Sequence, residues 1–395
     1  MDIIVQKFGG TSLANENNRI KATNKIINKY NEGIIPVVVV SAIGRLGSPY
    51  STDTLLSLVN NKKLSTRDLD LLISCGEVIS AIVLANLLNE KGYNTTVLTG
   101  FQAGIITDDN FNKAKVIKVN KQKLLNNIKE NNITIVAGFQ GATEEGEITT
   151  LGRGGSDTSA LILGEALKCK TVEIYTDVNG IMTADPRIVT NAKTIKEISY
   201  SELYQLAEDG AKVIHPRAVE VAQRSKIKIK IKNTLNECAG TLVTTENEMK
   251  KNNSIIEAIT YKNKRAQVII KDNNKKINEL MEELTNKNIS IDLINFFIDK
   301  KVFTIDESDL KLIQEILTFK NYNFEIVKDC TKLSIIGHNM MGLPGVMAKI
   351  VNILYTAGIE ILQTSDSHMT IWCLIKNNDT KKAVQLLHNH FLLKK

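Results

Sequence analysis

Apolar and polar residues follow two patterns over the first 240 positions, short continuous apolar runs and longer stretches with helical periodicity. Residues 37–40, four valines in a row, are typical of a strand buried on both faces of a parallel sheet. Apolar positions in residues 68–91 recur at helical spacing. Because runs and stretches alternate, the pattern predicts an α/β fold, an open, mainly parallel sheet sandwiched by helices. The expected strands are 2–8, 37–41, 95–99, 133–138, 148–150 and 171–177, and the expected helices are 13–30, 68–91 and 121–131.

The pattern changes after about residue 240. Residues 246–254 form a polar linker without apolar periodicity, and two units of strand, helix, strand, strand and helix follow. A repeat of about sixty residues with this order predicts paired ferredoxin-like modules of the α+β class. Such modules suit the sensing of a small molecule or association between chains. We therefore expect three domains, residues 1–245, 255–328 and 329–395, of which the last two can share strands.

The composition is that of a globular protein, with 43% hydrophobic and 24% charged residues among 395. The net charge of +7 is spread over isolated lysines, and the densest stretch, Lys226–Lys232, alternates with isoleucine like a half-buried strand, so we do not expect a nucleic-acid partner. Five cysteines without metal-binding spacing favour a reducing compartment and argue against zinc. We find no apolar stretch of membrane-spanning length and no basic leader, and we expect a cytoplasmic protein without a membrane partner.

Two glycine-rich turns follow predicted strands, KFGGTS at residues 7–12 and GRGGSD at residues 152–157. Glycine lets the backbone approach a ligand closely, and the free N–H groups at a helix start favour an anion. Ser156 and Asp157 are the residue types that cap a helix, and an apolar helix follows them. If both turns end parallel strands, they lie at the carboxyl edge of the sheet, where ligands bind. The alternative is an ordinary strand-to-helix turn, and the chain contains neither a Walker A motif nor a dinucleotide-binding GxGxxG motif.

Further polar residues are expected at the same edge. Glu77 is expected in a polar turn where a helical pattern opens, with a plain surface residue as the alternative. Phe139 follows the strand that ends at residue 138, and it is otherwise a core residue. Thr176–Asp177 ends another strand, and Arg187 follows in a loop rich in turn formers. Lys212 comes just before a helix that a proline starts, and on its own it reads as a solvated surface lysine.

Four phrases of the chain, KFGGTS, TLGRGGSDTSA, YTDVNGIMTADPR and GAKVIHPRAVE, resemble those of the aspartokinases, within the amino-acid kinase superfamily. The C-terminal pair of modules is similar to the tandem ACT domains of these enzymes. STDTLLSLV and GIEILQTSDSHMTIW resemble the diaminopimelate-sensitive isozymes of bacilli and clostridia. The resemblance implies ATP-dependent phosphorylation of the β-carboxylate of L-aspartate to 4-phospho-L-aspartate. That reaction is the first step of lysine and diaminopimelate, threonine and methionine biosynthesis, under feedback regulation through the ACT modules.

The resemblance also assigns roles to single positions. Lys7 and Asp157 would be catalytic, with Lys7 on the phosphates and Asp157 either orienting Lys7 or reaching Mg²⁺, which ATP mainly carries. Met182 replaces a tyrosine that many relatives place beside the adenine, which puts adenine stacking there in doubt. The implied ATP-binding residues are Lys7, Gly9, Gly10, Thr11, Ser12, Thr176, Asp177, Arg187 and Lys212. The implied aspartate-binding residues are Ser41, Glu77, Phe139, Arg153 and Ser156, with Arg153 on the α-carboxylate and Glu77 on the ammonium group.

The two modules differ in the loop that would hold an effector. The second has MGLPGV at residues 341–346, of the type that holds an amino acid, whereas the first has KDNNKK at residues 271–276 without Pro-Gly. The resemblance therefore implies an amino-acid effector, diaminopimelate or lysine, and a homodimer or higher homo-oligomer formed through the modules. The alternative is that both modules serve only association. The implied effector residues are Met341, Gly342, Pro344, Gly345, Ile361 and Gln363.

Two other functions compete with aspartate phosphorylation. One is a different kinase of the same superfamily, acting on glutamate or acetylglutamate. The paired modules and the combination of Glu77 with Arg153 favour aspartate. The other is a catalytically silent amino-acid sensor. The joint presence of four residues argues against it, namely Lys7, Arg153, Asp157 and Lys212.

Overall fold

The computed structural model of the chain describes residues 2–60, 63–130, 132–211, 213–249, 256–271, 277–337, 340 and 345–392. Contacts within the chain divide it into two compact units. The first unit comprises residues 1–181, 194–207 and 212–251, and the second unit comprises residues 182–193, 208–211 and 252–395. Two short segments that precede residue 212 thus belong to the second unit. The domain boundaries expected at residues 245 and 328 stay predictions.

The first unit is built from strands and helices that alternate along the chain. Its strands are β1 Ile3–Phe8, β2 Ile35–Val40, β3 Thr95–Leu98, β4 Ile105–Thr107, β5 Val116–Val119, β6 Ile133–Ala137, β7 Gln140–Ala142, β8 Ile148–Thr150, β9 Thr171–Thr176, β10 Glu197–Ser199, β11 Lys228–Asn233 and β12 Thr241–Thr244. Its helices are α1 Glu16–Asn31, α2 Thr52–Ser57, α3 Thr66–Glu90, α4 Gln122–Lys129, α5 Gly155–Ala166, α6 Tyr200–Glu208 and α7 Pro216–Ser225. A 3-10 helix, Gly10–Leu13, follows β1.

An eight-stranded, mainly parallel sheet lies at the centre of the first unit, in the order β10-β12-β11-β9-β1-β2-β6-β3. Strand β1 pairs in parallel with β2 and β9, so that Lys7 lies beside Val39 and Ile174. Every residue of β2 is buried, as the run of valines predicts. Helices α1 and α3 pack on one face of the sheet, and α5 packs on the other, where Gly164 approaches Val172. The predicted open sheet covered by helices is confirmed.

A second, smaller sheet has the order β5-β4-β7-β8. Strand β8 pairs antiparallel with β7 and is not part of the parallel sheet. The expectation that the turn at residues 152–157 ends a parallel strand was therefore wrong. The reason is that a short β-branched run predicts a strand but not the sheet to which the strand belongs.

Helix α3 has 25 residues and is apolar enough in composition to cross a membrane. The expectation that no segment reaches that length was wrong for this helix. Half of its most apolar window is nevertheless buried inside the protein. Ala81, Leu84 and Leu88 pack in the core of the first unit with Phe8 and Ile135. These are the contacts of a core helix.

The second unit contains a six-stranded antiparallel sheet in the order β14-β15-β13-β16-β18-β17. Its two longest strands, β13 and β16, pair along most of their length, with irregular register near residues 262–267. One of these strands, at residues 324–337, runs across the module boundary expected at residue 328, because its pairing continues across the irregular positions. The strands are β13 Ile256–Ile270, β14 Ile291–Phe296, β15 Lys301–Asp306, β16 Phe324–Gly337, β17 Ile361–Asp366 and β18 Thr370–Lys376, and the helices are α8 Ile277–Asn286, α9 Leu310–Phe319, α10 Val346–Thr356 and α11 Thr380–Phe391.

Asp209 joins this sheet although it follows α6 in the sequence. Its carboxylate pairs with the Nζ of Lys332 on β16 at 2.8 Å and accepts a hydrogen bond from Trp372 Nε1 on β18 at 2.8 Å. Asp209 and Lys332 are both buried. Segment 208–211 is therefore held to the second unit by a buried charged group, in which each charge is compensated.

Candidate active site

Lys7 lies near the carboxyl end of β1, on the face that α5 covers. Its Nζ lies 2.6 Å from Oδ1 of Asp157, and both side chains are only about a tenth exposed (12% and 10%). Asp157 belongs to the first turn of α5. The structure thus brings the two residues expected to be catalytic into direct contact, beside the N-terminus of a helix, where the dipole favours negative charge.

The turn before α5 depends on glycine. Gly154 precedes the helix with φ +72°, and a Cβ there would lie 2.1 Å from the Cβ of His215. The helix then begins at Gly155 without a side-chain cap, so the expectation that Ser156 and Asp157 cap it was wrong. Both residues lie inside the first turn. Asp157 is free to face Lys7 because its carboxylate is not used for capping.

The KFGGTS turn packs closely on the loop after β2. A Cβ on Gly10 would lie 2.5 Å from the carbonyl oxygen of Gly44, so only glycine fits. The N–H of Gly9 donates to the carbonyl of Tyr175, and the N–H of Ser12 donates to the carbonyl of Gly9. Those two N–H groups are therefore engaged within the protein. We find no partner among the described residues for the N–H groups of Gly10 and Thr11, which start the 3-10 helix.

The Ser12 side chain is also engaged. It is buried, donates to the carbonyl of Tyr175 and lies 2.6 Å from the Thr234 hydroxyl. The structure therefore does not support the expectation that Gly9 and Ser12 contact ATP through these groups. Their hydrogen bonds instead fix the position of the turn.

Glu77 lies in the middle of α3, not in a polar turn, because the Ser74–Gly76 segment continues the helix. The side chain is 2% exposed, and Oε1 accepts a hydrogen bond from the N–H of Ala42 at 3.0 Å. Oε2 is buried and has no hydrogen-bond partner among the described residues. Burial raises the pKa of Glu77 to about 8, against the lowering effects of the Ala42 N–H and of the Lys7 charge.

The segment of Gly138 and Phe139 after β6 packs against the first turn of α5, which contains Ser156. Phe139 has φ +68°, unusual for a residue other than glycine, and its N–H donates to the hydroxyl of Ser159 at 3.1 Å. A Cβ on Gly138 would lie 3.0 Å from the Cβ of Ser156. Ser41 follows β2, and its N–H donates to the carbonyl of Phe8. The structure thus places Ser41 just after β2, Phe139 just after β6 and Ser156 in the first turn of α5.

Arg153 is exposed at the tip of its turn, and we find no hydrogen-bond or ion-pair partner for it in the part of the chain that the structure describes. The backbone on either side is fixed. Arg217 of α7 donates to the carbonyl of Leu151 at 3.1 Å, and His215 packs on Gly154. An arginine held at its backbone but free at its guanidinium is available to bind an anion in a bidentate manner.

The nucleotide candidates are divided between the units. Thr176 ends β9 in the first unit and Asp177 follows it. Asp177 pairs at 2.9 Å with Arg45, a residue that the sequence did not indicate. Arg187 lies in the second unit, with its guanidinium paired to Asp185 at 2.7 Å and 85% exposed. Lys212 lies outside the described residues.

Comparison with known proteins identifies the family. A model of the amino acid kinase family matches residues 2–233, and a model of the ACT domain matches residues 325–389. Aspartokinase 1 of Bacillus subtilis is 42% identical to the chain over 404 residues, which cover 100% of both sequences. This chain belongs to the aspartokinase family.

Two solved structures of E. coli aspartokinase III are similar to this aspartokinase over nearly all of its length. The R-state complex with aspartate and ADP has a TM-score of 0.83 and 26% identity, and covers 100% of both chains. The T-state complex with lysine and aspartate has a TM-score of 0.76 and 26% identity, and covers 99% of both chains. The predicted fold, an amino-acid kinase domain with a C-terminal ACT domain, is confirmed.

Three of the effector candidates, Met341, Gly342 and Pro344, lie outside the described residues. Gly345 precedes α10 with φ +87°. Ile361 begins β17, and Gln363 on the same strand is 9% exposed. The amide of Gln363 donates to the carbonyl of Leu293 on β14. In this aspartokinase Gln363 thus connects the two edge strands of the second unit, and its side chain is not free.

Sequence reasoning missed Asp70, Arg217 and Arg45. Asp70 lies seven residues before Glu77 on α3, so a helical spacing was available as a signal for it. Arg217 follows the proline of GAKVIHPRAVE. The group to which it donates is the backbone carbonyl of Leu151, and no residue type in the sequence indicates such an acceptor. Arg45 lies in a loop whose approach to Asp177 depends on the parallel order of β1, β2 and β9.

Proposed function

We propose that this aspartokinase transfers the γ-phosphoryl group of ATP to the β-carboxylate of L-aspartate, giving 4-phospho-L-aspartate and ADP. The observation that carries the proposal is the Lys7–Asp157 ion pair at the start of α5, with the buried carboxylate of Glu77 close enough to feel the Lys7 charge. One site then offers a cation for phosphate and an anion for an ammonium group. A substrate that carries both a carboxylate and an ammonium group matches this set.

The main obstacle to the reaction is repulsion between a carboxylate and a polyphosphate. In the proposed step an oxygen of the β-carboxylate forms a bond to the γ-phosphorus, and the bond from that phosphorus to the β,γ-bridging oxygen breaks. Lys7 compensates the negative charge of the transferring group, and Asp157 holds the lysine in position at 2.6 Å. The role of the protein is then mainly positioning and charge compensation.

Two opposite charges select the amino acid. Glu77 receives the ammonium group through its unpartnered Oε2, and Arg153 binds the α-carboxylate with its free guanidinium. Ser41, Phe139 and Ser156 form the wall around the side-chain carboxylate. The buried position of Glu77 makes its pairing strong, because the surroundings screen the charge weakly.

The nucleotide binds at the ends of β1 and β9 in this proposal. The N–H groups of Gly10 and Thr11 face the phosphates, and Thr176 and Asp177 hold the nucleoside. Lys212 and Arg187 are assigned to the nucleotide from the family resemblance. The described residues contain no group of three or more His, Cys, Asp or Glu side chains that could hold a metal ion, so Mg²⁺ enters on the phosphates of ATP, where it compensates charge. Asp157 is the carboxylate available to it.

The second unit is proposed to regulate the enzyme by binding an amino acid, diaminopimelate or lysine, near the start of α10 and on β17. The hydrogen bond from Gln363 to Leu293 would couple this binding to the position of β14. We further propose assembly as a homodimer or a higher homo-oligomer through these modules. A cytoplasmic location and a place at the start of lysine, threonine and methionine biosynthesis complete the proposal.

Trapping with hydroxylamine tests the reaction, because an acyl phosphate reacts with hydroxylamine to give a coloured hydroxamate complex with iron. The purified chain with MgATP should form hydroxamate with L-aspartate, and far less with L-glutamate or N-acetylglutamate. Lys7→Ala serves as the matched control for contaminating kinases. ATP consumption that does not depend on aspartate would contradict the proposal, as would hydroxamate formation with glutamate at an equal rate. Titrating the same assay with lysine, threonine and meso-diaminopimelate identifies the effector.

A further inference from the structure

Asp70 lies on α3 and is completely buried. Its carboxylate accepts three hydrogen bonds, from the N–H of Thr150 at 2.7 Å, the Thr150 hydroxyl at 2.7 Å and the N–H of Asn112 at 2.9 Å. Among the described residues it has no basic partner within 4 Å, which is unusual for a buried carboxylate. Three donors thus converge on a charge that folding has to desolvate.

Both partners of Asp70 flank the turn that carries Arg153. Thr150 is the last residue of β8, two positions before Gly152. Asn112 has φ +67°, and its carbonyl oxygen would lie 2.9 Å from a Cβ on Gly152. The carboxylate thus fastens the strand that enters the turn and the loop that packs on it. Both are fastened to the same helix that carries Glu77.

We propose that Asp70 is a positioning residue, which sets the place of the Arg153 guanidinium relative to Glu77 and so the fit of the amino-acid substrate. The inference rests on the proposed function, because it requires that Arg153 binds the α-carboxylate. Asp70 and Glu77 lie seven residues apart on one helix, two turns of α3. Helix α3 therefore carries one binding group itself and holds the other through Asp70, which keeps their separation constant.

A purely structural role would make a different prediction. If the three hydrogen bonds only stabilise the fold, the loss of Asp70 lowers the melting temperature and leaves the selectivity for aspartate unchanged. If they place Arg153, the loss lowers kcat/KM for aspartate and leaves the KM for ATP nearly unchanged. A displacement of the order of 1 Å at a positioning group can cost about 100-fold in rate.

A double-mutant cycle separates the two roles. Asp70→Asn keeps the shape but removes the charge and puts an amide NH₂ group in place of one carboxylate oxygen, facing either the Thr150 hydroxyl or the N–H groups of Thr150 and Asn112. Arg153→Ala removes the group that Asp70 is proposed to place. We expect Asp70→Asn to lower kcat/KM for aspartate about 10- to 100-fold in the natural background. In the Arg153→Ala background the same change should lower it less than about 2-fold, because the effects of residues that act through one another are not additive.

Two further variants serve as controls. Thr150→Val removes one hydroxyl bond to Asp70 and keeps the backbone bond, so it should fold and show the same direction of effect at smaller size. Glu202→Gln alters another fully buried carboxylate, which accepts from Ser199 at the start of α6. It should lower the melting temperature with kcat/KM for aspartate unchanged.

The outcomes are distinct. Equal losses from Asp70→Asn in both backgrounds would overturn the inference alone, and so would a lower melting temperature with unchanged kcat/KM for aspartate. Arg153→Ala without any effect on aspartate would overturn the assigned role of Arg153 and the inference with it. The hydroxylamine assay with unmodified protein tests the proposed reaction separately, so that its failure is recognised before the variants are compared.

Discussion

Lowering the pH from 8.5 to 6.5 should weaken aspartate binding strongly, because Glu77 has to be ionised to pair with the ammonium group. Burial raises the pKa of Glu77 to about 8 in the free enzyme. With that pKa, roughly three quarters of the enzyme has an ionised Glu77 at pH 8.5 and about 3% at pH 6.5. Since apparent affinity scales with the competent fraction, the KM for aspartate should rise about 25-fold over this range.

Glu77→Gln removes the titration. Glutamine has the shape of the protonated acid and can still accept from the N–H of Ala42 through its carbonyl oxygen. The loss of the ion pair to a buried ammonium group should cost about 3 kcal/mol, or roughly 150-fold in KM for aspartate at pH 8.5. The KM of the variant should then be independent of pH between 6.5 and 8.5, because no group at this position changes its charge.

The free energy of unfolding should change with pH in the opposite direction to the affinity for aspartate. The pKa of Glu77 is higher in the folded chain than in the unfolded chain, so the folded state binds more protons and its stability falls as the pH rises from 4.5 through 8. A shift from 4.5 to about 8 corresponds to an upper bound of roughly 5 kcal/mol at pH 8.5. Glu77→Gln avoids this penalty and should raise the free energy of unfolding at pH 8.5, with little change at pH 5.

The assay is initial-rate kinetics at saturating MgATP over the pH range, together with urea unfolding of both proteins at pH 5 and pH 8.5. The KM for ATP provides the internal control, since Glu77 has no proposed contact with the nucleotide. A KM for aspartate that stays constant in the natural protein would refute the reasoning. A Glu77→Gln variant that follows the same pH dependence as the natural protein would refute it equally.

Three further predictions use other parts of the site. Lys7→Ala should lower kcat about 10²- to 10³-fold in the hydroxamate assay, since one preorganised charge is lost, and near-normal turnover would exclude the role. Arg153→Lys loses the planar fork and should mainly raise the KM for aspartate, so a change confined to the KM for ATP would show that the assignment is wrong. Gly154→Ala should destabilise the start of α5, because φ +72° and contact with His215 leave no room for a Cβ. A melting temperature equal to that of the natural protein would contradict that reading.

Much of the fold followed from periodicity, and the errors have physical reasons. The valines of β2 and the alternation in β11 predicted strands with the observed burial. The sequence did not show that β8 belongs to the smaller sheet, because three β-branched residues fit either sheet. Glu77 was expected in a turn because serine and glycine surround it, but the packing of α3 overrides those local preferences.

The site was harder to predict than the fold, because several of its contacts are made by the backbone. Lys7, Asp157 and Glu77 could be proposed from residue type and from the family resemblance. The Asp70 contacts join residues 42 and 80 positions apart through N–H groups, which every residue except proline has. The engaged N–H groups of Gly9 and Ser12 could likewise be recognised only in three dimensions.

Segments 182–193 and 208–211 have a consequence for how this architecture can evolve. At each segment the chain enters the second unit and then returns to the first. A single junction in the gene therefore cannot add or remove the whole second unit. A recombination at residue 245 would take Asp209 from one parent and its partners Lys332 and Trp372 from the other, which puts the buried ion pair and the hydrogen bond at risk. Exchange of regulatory units between related genes should therefore succeed only when the short upstream segments are inherited from the same parent.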